Sequence, residues 1–488
     1  MIVTRSLTSN VNLVVMLAAL GFSPVALAQS EVANAGGITY TILHTFSGTD
    51  GANPSGVLVQ GTNGNFYGTT ASGGANCAAI LPCGTIFKMT PTGTLTTLYS
   101  FCAQSGCTDG QFAGGLIEAA DGYLYGTTYG GGPYGGGTVF KITPGGKLTT
   151  IYGFCAQGSA CMDGNAPSAS LVQAASGDFY GTTYGGGAYD SGTIFKITPN
   201  GTLTTLYSFC PQAGCPDGEL PSKPLVQASN GDLYGITTAG GVDSSSCPSG
   251  CGTIFKITPT GSFTTLQTAQ GLSNFSGLVQ ASNGYLYGLT SGGGAYGGGT
   301  VFKMTHSGEL TTIYSFCSQA GCPDGSAPYF GLIPGANGNL YGATLRGGAA
   351  NAGTFFEITP HGTLTTLYLN DPLTGLVQST YGIFYGTGEF GRIDNPGWLG
   401  AIYAFSTGQA PFVETLPTIG VAGEEVSILG YGLAGTTNVT FNGTPATILY
   451  DAPTVIYAKV PAGATTGIVK VTTPGGTLTS NVAFEVLP

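Results

Sequence analysis

Hydrophobic and polar residues alternate along this chain in short segments, and Gly, Asn, Asp and Pro separate those segments. This pattern is typical of short β-strands joined by tight turns. Four such segments, at 56–60, 67–70, 85–88 and 95–101, form the first unit of a series with a period of about 54 residues. The pattern therefore predicts an all-β repeat protein.

Two sequence markers define the repeat, and each occurs seven times. The segment Tyr-Gly-Thr-Thr and its variants begin at Tyr67, Tyr125, Tyr180, Tyr234, Tyr287, Tyr341 and Tyr385. The segment Gly-Thr-Ile-Phe-Lys and its variants begin at Gly84, Gly137, Gly192, Gly252, Gly299, Gly353 and, in degraded form, Gly400. We name the four predicted strands of a unit A to D: the two markers are B and C, A precedes B, and D reads Leu-Thr-Thr-Leu-Tyr-Ser-Phe.

The seventh unit contains strands A to C within 375–406 but has no strand D. Residues 39–46 match the D pattern and precede the first strand A. Four-stranded units repeated around an axis form a β-propeller, and closure leaves only short protected edges. We predict a seven-bladed β-propeller in which this N-terminal strand pairs with 402–405; an unpaired leader segment is the alternative.

These markers resemble the GloVer repeats of exported bacterial proteins, and the resemblance covers residues 39–406. It rests on Tyr-Gly-Thr-Thr, Gly-Gly-Gly, Gly-Thr-Ile-Phe-Lys-Ile-Thr and Leu-Thr-Thr-Leu-Tyr-Ser-Phe. The resemblance implies a propeller and export, and it assigns no activity.

After Ala410 the repeat stops, and about seven short alternating segments follow. They predict an immunoglobulin-like β-sandwich, and the stretch resembles an IPT/TIG domain. That family also occurs in DNA-binding regulators. Here the stretch contains only two basic residues, Lys459 and Lys470, and five acidic residues, which argues against DNA binding. We therefore expect a spacer or an interaction domain. An apolar run at 11–22 before Ala-Leu-Ala at 26–28 predicts a signal peptide. The expected boundaries are 1–28 for the signal peptide, 29–408 for the propeller and 409–488 for the IPT/TIG domain.

The low content of charged residues and the negative net charge argue against polyanionic partners. Only 7% of the residues are charged, the net charge is −11, and no basic run occurs. Nucleic acids and anionic membranes attract clustered Lys and Arg, so neither is expected as a partner. No stretch after the signal is apolar enough to span a bilayer. We expect an exported monomer, located outside the cell, at its surface or in the periplasm.

The 12 cysteines fall into six pairs whose members are close together in the sequence. In an exported chain this favours disulfides, whereas zinc ligation is the alternative. The pairs are Cys77/Cys83, Cys102/Cys107, Cys155/Cys161, Cys210/Cys215, Cys247/Cys251 and Cys317/Cys322. All of them fall in D-to-A or B-to-C connections, which emerge on one face, named here the disulfide face; the A-to-B and C-to-D turns form the turn face. Because binding residues concentrate on loops held by a rigid scaffold, the disulfide face is the candidate site.

Two sets of side chains on the disulfide face are candidate ligand-binding groups. Asp-Gly pairs begin at Asp50, Asp109, Asp163, Asp217 and Asp324. These carboxylates form a ring for Ca²⁺ or sugar hydroxyls, or each Asp caps its own turn. The second set contains aromatic residues and two arginines: Tyr129, Tyr134, Tyr184, Tyr189, Tyr296, Trp398, Arg346 and Arg392. These side chains suit sugar stacking or partner recognition. The alternative is that they only cover the tops of the blades.

Catalysis needs a positioned nucleophile, base or metal ion. His44 lies in the closing strand, and His306 and His361 lie at C-to-D turns on the opposite face. We therefore expect no catalytic residues, no metal, no cofactor and a non-enzymatic protein that binds an extracellular glycan or surface protein. One alternative is a carbohydrate-active enzyme that uses two carboxylates of the disulfide face. The other is a purely structural surface protein.

Overall fold

In the computed structural model the chain is all-β. The structure describes residues 32–35, 38–77, 83–158, 160–174, 176–241, 250–269, 272–348, 351–367, 375–388 and 399–487. Within those ranges there is no α-helix, and a single 3-10 turn spans Ser105–Cys107. No helix in this part of the chain is long and apolar enough to cross a membrane.

The strands between residues 32 and 406 form seven antiparallel sheets. Two N-terminal strands, β1 (Val32–Ala35) and β2 (Ile38–Thr45), belong to the last of these sheets. Sheets 1 to 3 contain β3 (Ala52–Gln60), β4 (Phe66–Ser72), β5 (Thr85–Met89) and β6 (Leu95–Ser100); β7 (Gln111–Glu118), β8 (Leu124–Gly130), β9 (Thr138–Ile142) and β10 (Leu148–Gly153); and β11 (Val172–Gln173), β12 (Phe179–Thr183), β13 (Thr193–Ile197) and β14 (Leu203–Ser208).

Sheets 4 to 7 repeat this arrangement. Sheets 4 and 5 contain β15 (Val226–Gln227), β16 (Leu233–Ile236), β17 (Thr253–Ile257) and β18 (Phe263–Thr268); and β19 (Leu272–Gln280), β20 (Leu286–Gly293), β21 (Thr300–Met304) and β22 (Leu310–Ser315). Sheets 6 and 7 contain β23 (Ser326–Pro328), β24 (Ile333–Pro334), β25 (Leu340–Arg346), β26 (Thr354–Ile358) and β27 (Leu364–Thr366); and β28 (Gly375–Gln378), β29 (Ile383–Gly388) and β30 (Ala401–Ser406) with β2 and β1.

The N-terminal strand occupies the position predicted for it. β2 pairs with β30 in antiparallel register, from Thr39 opposite Ser406 to Thr45 opposite Ala401. β1 then pairs with β2 and adds a fifth strand, which the sequence pattern did not predict. The seventh sheet is thus assembled from both ends of the repeat region.

The Tyr-Gly-Thr marker recurs because strand B is fully buried and receives an aromatic ring from strand C. A Cβ atom on Gly68 would lie 2.4 Å from Phe87 Cζ, so only glycine fits there. Thr70, the next recurring residue of strand B, forms a 2.9 Å hydrogen bond between its hydroxyl and that of Thr85 in strand C. Five further units contain the same threonine pair, with Oγ atoms 2.8 to 3.0 Å apart.

Consecutive sheets are joined on the turn face by the last side chain of strand A. The Gln60 amide oxygen accepts a 2.8 Å hydrogen bond from the Thr380 N–H, which links sheet 1 to sheet 7. Glu118 accepts from the Thr62 N–H at 2.7 Å in the next junction. Gln173, Gln280 and Gln378 accept in the same way from Ala120, Ser229 and Ala336. At these five junctions the side chain at the end of strand A therefore fastens that strand to the preceding sheet.

The C-terminal region, defined here as residues 412–487, contains two sheets around one core. Its strands are β31 (Glu414–Leu416), β32 (Ile419–Val421), β33 (Glu425–Leu429), β34 (Asn438–Phe441), β35 (Thr444–Pro445), β36 (Thr447–Asp451), β37 (Val455–Lys459), β38 (Gly467–Thr473) and β39 (Gly476–Leu487). The sheet orders are β31-β33-β37-β36 and β32-β39-β38-β34-β35. One hydrophobic cluster contains buried side chains of both sheets, including Ile428, Ile456, Phe441 and Val469.

The C-terminal region packs on the turn face of the repeat region. The Thr454 hydroxyl donates to the Thr62 carbonyl oxygen at 2.8 Å, and the Phe412 N–H donates to Thr380 at 3.1 Å. The Tyr381 and Tyr431 rings contact each other with centroids 4.7 Å apart. The C-terminal region therefore covers part of the turn face, and the disulfide face lies on the other side of the sheets.

Candidate functional site

The disulfide face contains the predicted cystine bridges. The described pairs are Cys77–Cys83, Cys102–Cys107, Cys155–Cys161, Cys210–Cys215 and Cys317–Cys322. Cys251 is also disulfide-bonded, whereas Cys247 lies outside the described residues. Two groups of potential metal ligands occur in the described part of the chain, and both include bridged cysteines. Zinc binds the thiolate, so these bridged pairs do not supply a zinc site.

Each aspartate of the Asp-Gly set is hydrogen-bonded within its own loop. Asp109 is 1% exposed, and its Oδ2 accepts hydrogen bonds from the Tyr99 hydroxyl at 2.9 Å and the Ala103 N–H at 3.0 Å. The same Tyr and main-chain contacts are made by Asp163, Asp217 and Asp324 with Tyr152, Tyr207 and Tyr314. Burial and the nearby Asp324 carboxylate raise the pKa of Tyr314 to about 12, so this phenol remains a donor. These carboxylates order their loops.

Asp50 makes the corresponding contacts in the loop that follows the closing strand. Its carboxylate contacts His44 Nε2 at 2.8 Å and accepts from the Ser47 N–H and hydroxyl, each at 2.8 Å. Burial alone would raise the pKa of Asp50. The Ser47 and His44 contacts outweigh that effect, and the pKa lies below its ordinary value. His44 thus replaces the D-strand tyrosine of the other units.

A cavity of about 780 Å³, named here the mouth cavity, lies among the first segments of sheets 1 to 6. Its aromatic and aliphatic lining includes Phe112, Tyr129, Tyr329, Phe330 and Leu345. Its polar lining includes the side chains of Ser55, Ser168, Ser222, Ser276 and Lys223. None of the five predicted aspartates, and no other described carboxylate, lines this cavity.

The predicted tyrosines separate into two positions. Tyr129 lines the mouth cavity, and its ring lies 6.2 Å from Phe112 and 6.5 Å from Tyr184 between centroids. Tyr134, by contrast, lies beside the outer strand, where its Cδ2 is 3.6 Å from the position of a Cβ on Gly153. Tyr189 and Tyr296 lie close to the D-strand tyrosines of their own units, whose pKa values they help to raise. One inner aromatic row therefore borders the cavity.

Of the two predicted arginines and the tryptophan, Arg346 alone lies in the described part of the chain, and it does not belong to this row. Arg346 is exposed at the end of β25, next to Leu345, which lines the mouth cavity. Arg392 and Trp398 lie outside the described residues.

Sequence reasoning missed four residues of the mouth cavity: Phe112, Lys223, Tyr329 and Phe330. The Lys223 ammonium lies 4.2 Å from the centroid of the Tyr329 ring, a cation–π distance. All four lie close to the start of strand A, either just before it (Lys223), within it (Phe112) or just after its first segment, and each follows an Asp-Gly pair by a few positions. That position could have signalled them, because the segments that line the cavity are the first of each sheet.

Comparisons with known proteins identify the two parts of the chain. The Gloeobacter/Verrucomicrobia repeat matches residues 31–247 and 241–446, and the IPT/TIG domain matches residues 412–486. No curated protein matches the chain.

Solved structures with a propeller-like fold resemble the chain at low identity. A streptogramin B lyase is 17% identical with a TM-score of 0.50, and 76% of this chain and 97% of that chain are covered. An inactive virginiamycin B lyase from Staphylococcus aureus with quinupristin is 15% identical, with a TM-score of 0.51 and coverage of 76% and 99%. The extracellular domain of a putative one-component system from B. thetaiotaomicron is 12% identical, with a TM-score of 0.51 and coverage of 94% and 59%.

The expectation that the chain is not an enzyme is wrong, because solved structures with this fold include the two lyases. At 15 to 17% identity the likeness shows the fold alone, and no reaction follows from it. The repeat match, by contrast, spans most of the chain, from residue 31 to residue 446. The chain therefore belongs to the Gloeobacter/Verrucomicrobia repeat family.

Proposed function

We propose that this protein is an exported surface protein that binds an oligosaccharide at the mouth cavity. In this proposal the seven sheets are the blades of a closed propeller, and the C-terminal region is an immunoglobulin-like sandwich attached to its turn face. The IPT/TIG match and the likeness to an extracellular domain support a binding role at the cell surface.

The aromatic row of Phe112, Tyr129 and Tyr184 carries the proposal. Tyr129 occupies its centre and is 43% exposed, so one part of its ring remains open to a ligand. Flat amphipathic rings stack on the apolar faces of sugars while their hydroxyl groups remain hydrated. Phe112 and Tyr129 of this row line the cavity of about 780 Å³, which is large enough for several sugar units.

Polar groups of the same cavity supply hydrogen bonds. The Ser168 hydroxyl is buried and has no hydrogen-bond partner. The backbone of Gly114, Gly115 and Gly277 lines the wall, where no side chain separates it from a ligand. A wall of hydroxyls and main-chain groups matches the many donors and acceptors of a glycan.

The test is binding of the mature chain, residues 29–488, to a glycan array, followed by calorimetry with each glycan that binds. Tyr129→Ala is the informative variant. Tyr134→Ala is its matched control, since Tyr134 is a more exposed tyrosine (59%) that lies in the connection after β8, beside the outer strand. We expect affinity to fall about fivefold in Tyr129→Ala, because one stacked ring contributes about 1 kcal/mol, and to be unchanged in Tyr134→Ala.

Bound glycans are also recovered and analysed by mass spectrometry, because the fold is shared with lyases. Altered products would extend the proposal from binding to turnover. Equal losses in both variants would place the site away from the mouth cavity. Absence of binding to any glycan would overturn the sugar proposal and favour a protein ligand.

A further inference from the structure

A second cavity lies between the repeat region and the C-terminal region. This interdomain cavity has a volume of about 370 Å³. Ends of several A strands line one side, and Glu414, Ile419, Asn481 and Glu485 of the C-terminal region line the other. It shares Val57 and Ile333 with the mouth cavity, so the two cavities follow each other along the inner strands.

Two carboxyl groups in this cavity have no protein partner. In the described part of the chain, neither the Glu414 nor the Glu485 side chain forms a hydrogen bond or an ion pair. Both side chains are partly buried. Two carboxylates of the repeat region that are buried or partly buried, Asp109 and Glu118, are by contrast hydrogen-bonded. A buried carboxyl without a partner is costly in its ionised form, so a cationic ligand in this cavity would stabilise both groups as carboxylates.

In the described part of the chain, three further polar side chains that line this cavity have an atom without a hydrogen-bond partner. Gln378 is 5% exposed, and its amide nitrogen has no partner although its oxygen accepts from the Ala336 N–H. The side-chain oxygens of Gln227 and Asn481, two further lining residues, are buried without partners as well. In native proteins most buried polar atoms have a hydrogen-bond partner, so several buried polar atoms without a partner around one cavity are unusual.

We propose that the interdomain cavity is a binding site for an aliphatic ammonium group. Among the described residues that line it, Glu414 and Glu485 are the only ones with charged side chains, and both would be negative beside a cation. The remaining wall is mainly aliphatic and includes Val226, Val279 and Leu376, which suits an alkyl chain better than a hydrated metal ion. The ammonium belongs either to a free alkylamine or to a lysine side chain.

The lining favours an organic cation over a metal ion. A metal ion would need several oxygen ligands close together, whereas the two carboxyls of this cavity lie among aliphatic side chains. Burial raises the pKa of Glu414 and that of Glu485 to about 7 each. An ammonium group beside either carboxyl would favour its ionised form.

The test is isothermal titration calorimetry of the mature chain at pH 8, where both carboxyls are ionised. The probes are 1,4-diaminobutane, n-butylamine, Nα-acetyl-lysine amide and Ca²⁺, with n-butanol as the uncharged control. The variants are Glu414→Gln and Glu485→Gln, and Glu309→Gln is the matched control because Glu309 is an exposed carboxylate of the repeat region. Thermal unfolding of each variant verifies that it is folded.

We expect at least one of the amines to bind and n-butanol not to bind. Affinity should fall about tenfold in each cavity variant and remain unchanged in Glu309→Gln, since one ion contact contributes about 1.4 kcal/mol. Preference for the diamine would identify a free amine, and preference for the lysine derivative a protein side chain. Amine binding that survives both substitutions, or no amine binding at about 10 mM, would overturn the proposal. Ca²⁺ binding lost in the same variants, without amine binding, would replace it with a metal site.

Discussion

Neighbouring sheets of the repeat region are hydrogen-bonded on both faces, but the turn face uses side chains for this and the disulfide face uses the main chain. On the turn face, Gln60 and its equivalents accept from a main-chain N–H of the neighbouring turn. On the disulfide face, the Phe112 N–H donates to the Cys83 carbonyl oxygen, and Ala166 donates in the same way to Gly136. A main-chain contact does not require a particular side chain.

This difference explains why the loops of the disulfide face vary while the turns do not. The donor residue has a positive φ in several units, for example 55° at Phe112 and 57° at Ala166, so this conformation recurs with different side chains. Phe112 can therefore present its ring to the mouth cavity while its N–H still joins two sheets. On the disulfide face, ligand-binding residues can therefore vary while the contacts between sheets stay the same.

Removal of the side-chain contact at the closing junction should have the largest effect on stability. Gln60 is 7% exposed, and it also donates to the Thr380 hydroxyl at 3.0 Å. Gln60→Leu leaves the buried Thr380 N–H without an acceptor, and we expect a loss of about 3 kcal/mol in the free energy of unfolding. Denaturation in urea measures this loss.

Gln173→Leu is the matched control for that change. Gln173 accepts the equivalent hydrogen bond from Ala120, but that contact is exposed and water can replace it. We expect a loss below about 1 kcal/mol. Equal losses at the two junctions would contradict the view that the buried contact between sheets 1 and 7 closes the series.

On the disulfide face, the loss of a loop contact should be smaller and local. Asp109→Ala removes the acceptor of the Tyr99 hydroxyl and the Ala103 N–H, and we expect a cost of about 2 kcal/mol. Hydrogen exchange should increase at Ala103 and Gln104. The loop of Asp163 should be unaffected, since it has its own carboxylate; faster exchange there would show that the loops are coupled.

The sequence was sufficient to predict the strands because each marker reflects a contact within one unit. Gly68 must admit the Phe87 ring, and Thr70 must meet Thr85, so both positions recur with the repeat. The pairing of the N-terminal strand was predictable for the same reason, since Phe46 matches the last residue of strand D and is buried like Phe101.

The sequence was not sufficient to place the aromatic residues that follow the Tyr-Gly-Thr marker. Tyr129 and Tyr134 lie five positions apart, yet Tyr129 lies in β8 and borders the mouth cavity, whereas Tyr134 lies in the following connection, beside the outer strand. The end of strand B and the path of the connection determine these two positions, and strand alternation encodes neither. The packing of the C-terminal region on the turn face depends on isolated contacts such as Thr454 with Thr62, which have no repeated signal.

Loss of one cystine bridge should reduce stability by less than about 2 kcal/mol. Cys102 and Cys107 are five positions apart, and closing so short a loop removes little entropy from the unfolded chain. The double substitution Cys102→Ser and Cys107→Ser leaves the Asp109 contacts in place. Urea denaturation should show a small shift, and glycan affinity should decrease only if the bridge orders the adjacent Phe112. A loss larger than that of Asp109→Ala would show that the bridge, and not the carboxylate, holds the loop.

The smallest expected effect is a pH dependence that arises where the C-terminal region covers the turn face. The pKa of Glu414 and that of Glu485 are each raised to about 7 in the folded chain from an ordinary value of 4.5. The folded state then binds more protons than the unfolded state between these values, so the contribution of both groups is favourable below about pH 4.5 and is lost as the pH rises through about 7. Because both groups retain some contact with solvent, we expect a loss of about 1 kcal/mol between pH 5 and pH 8. The double variant Glu414→Gln and Glu485→Gln should remove this loss, as measured by urea denaturation in the absence of amines. An unchanged pH dependence in the double variant would mean that other groups cause it and that the two carboxyls are solvated.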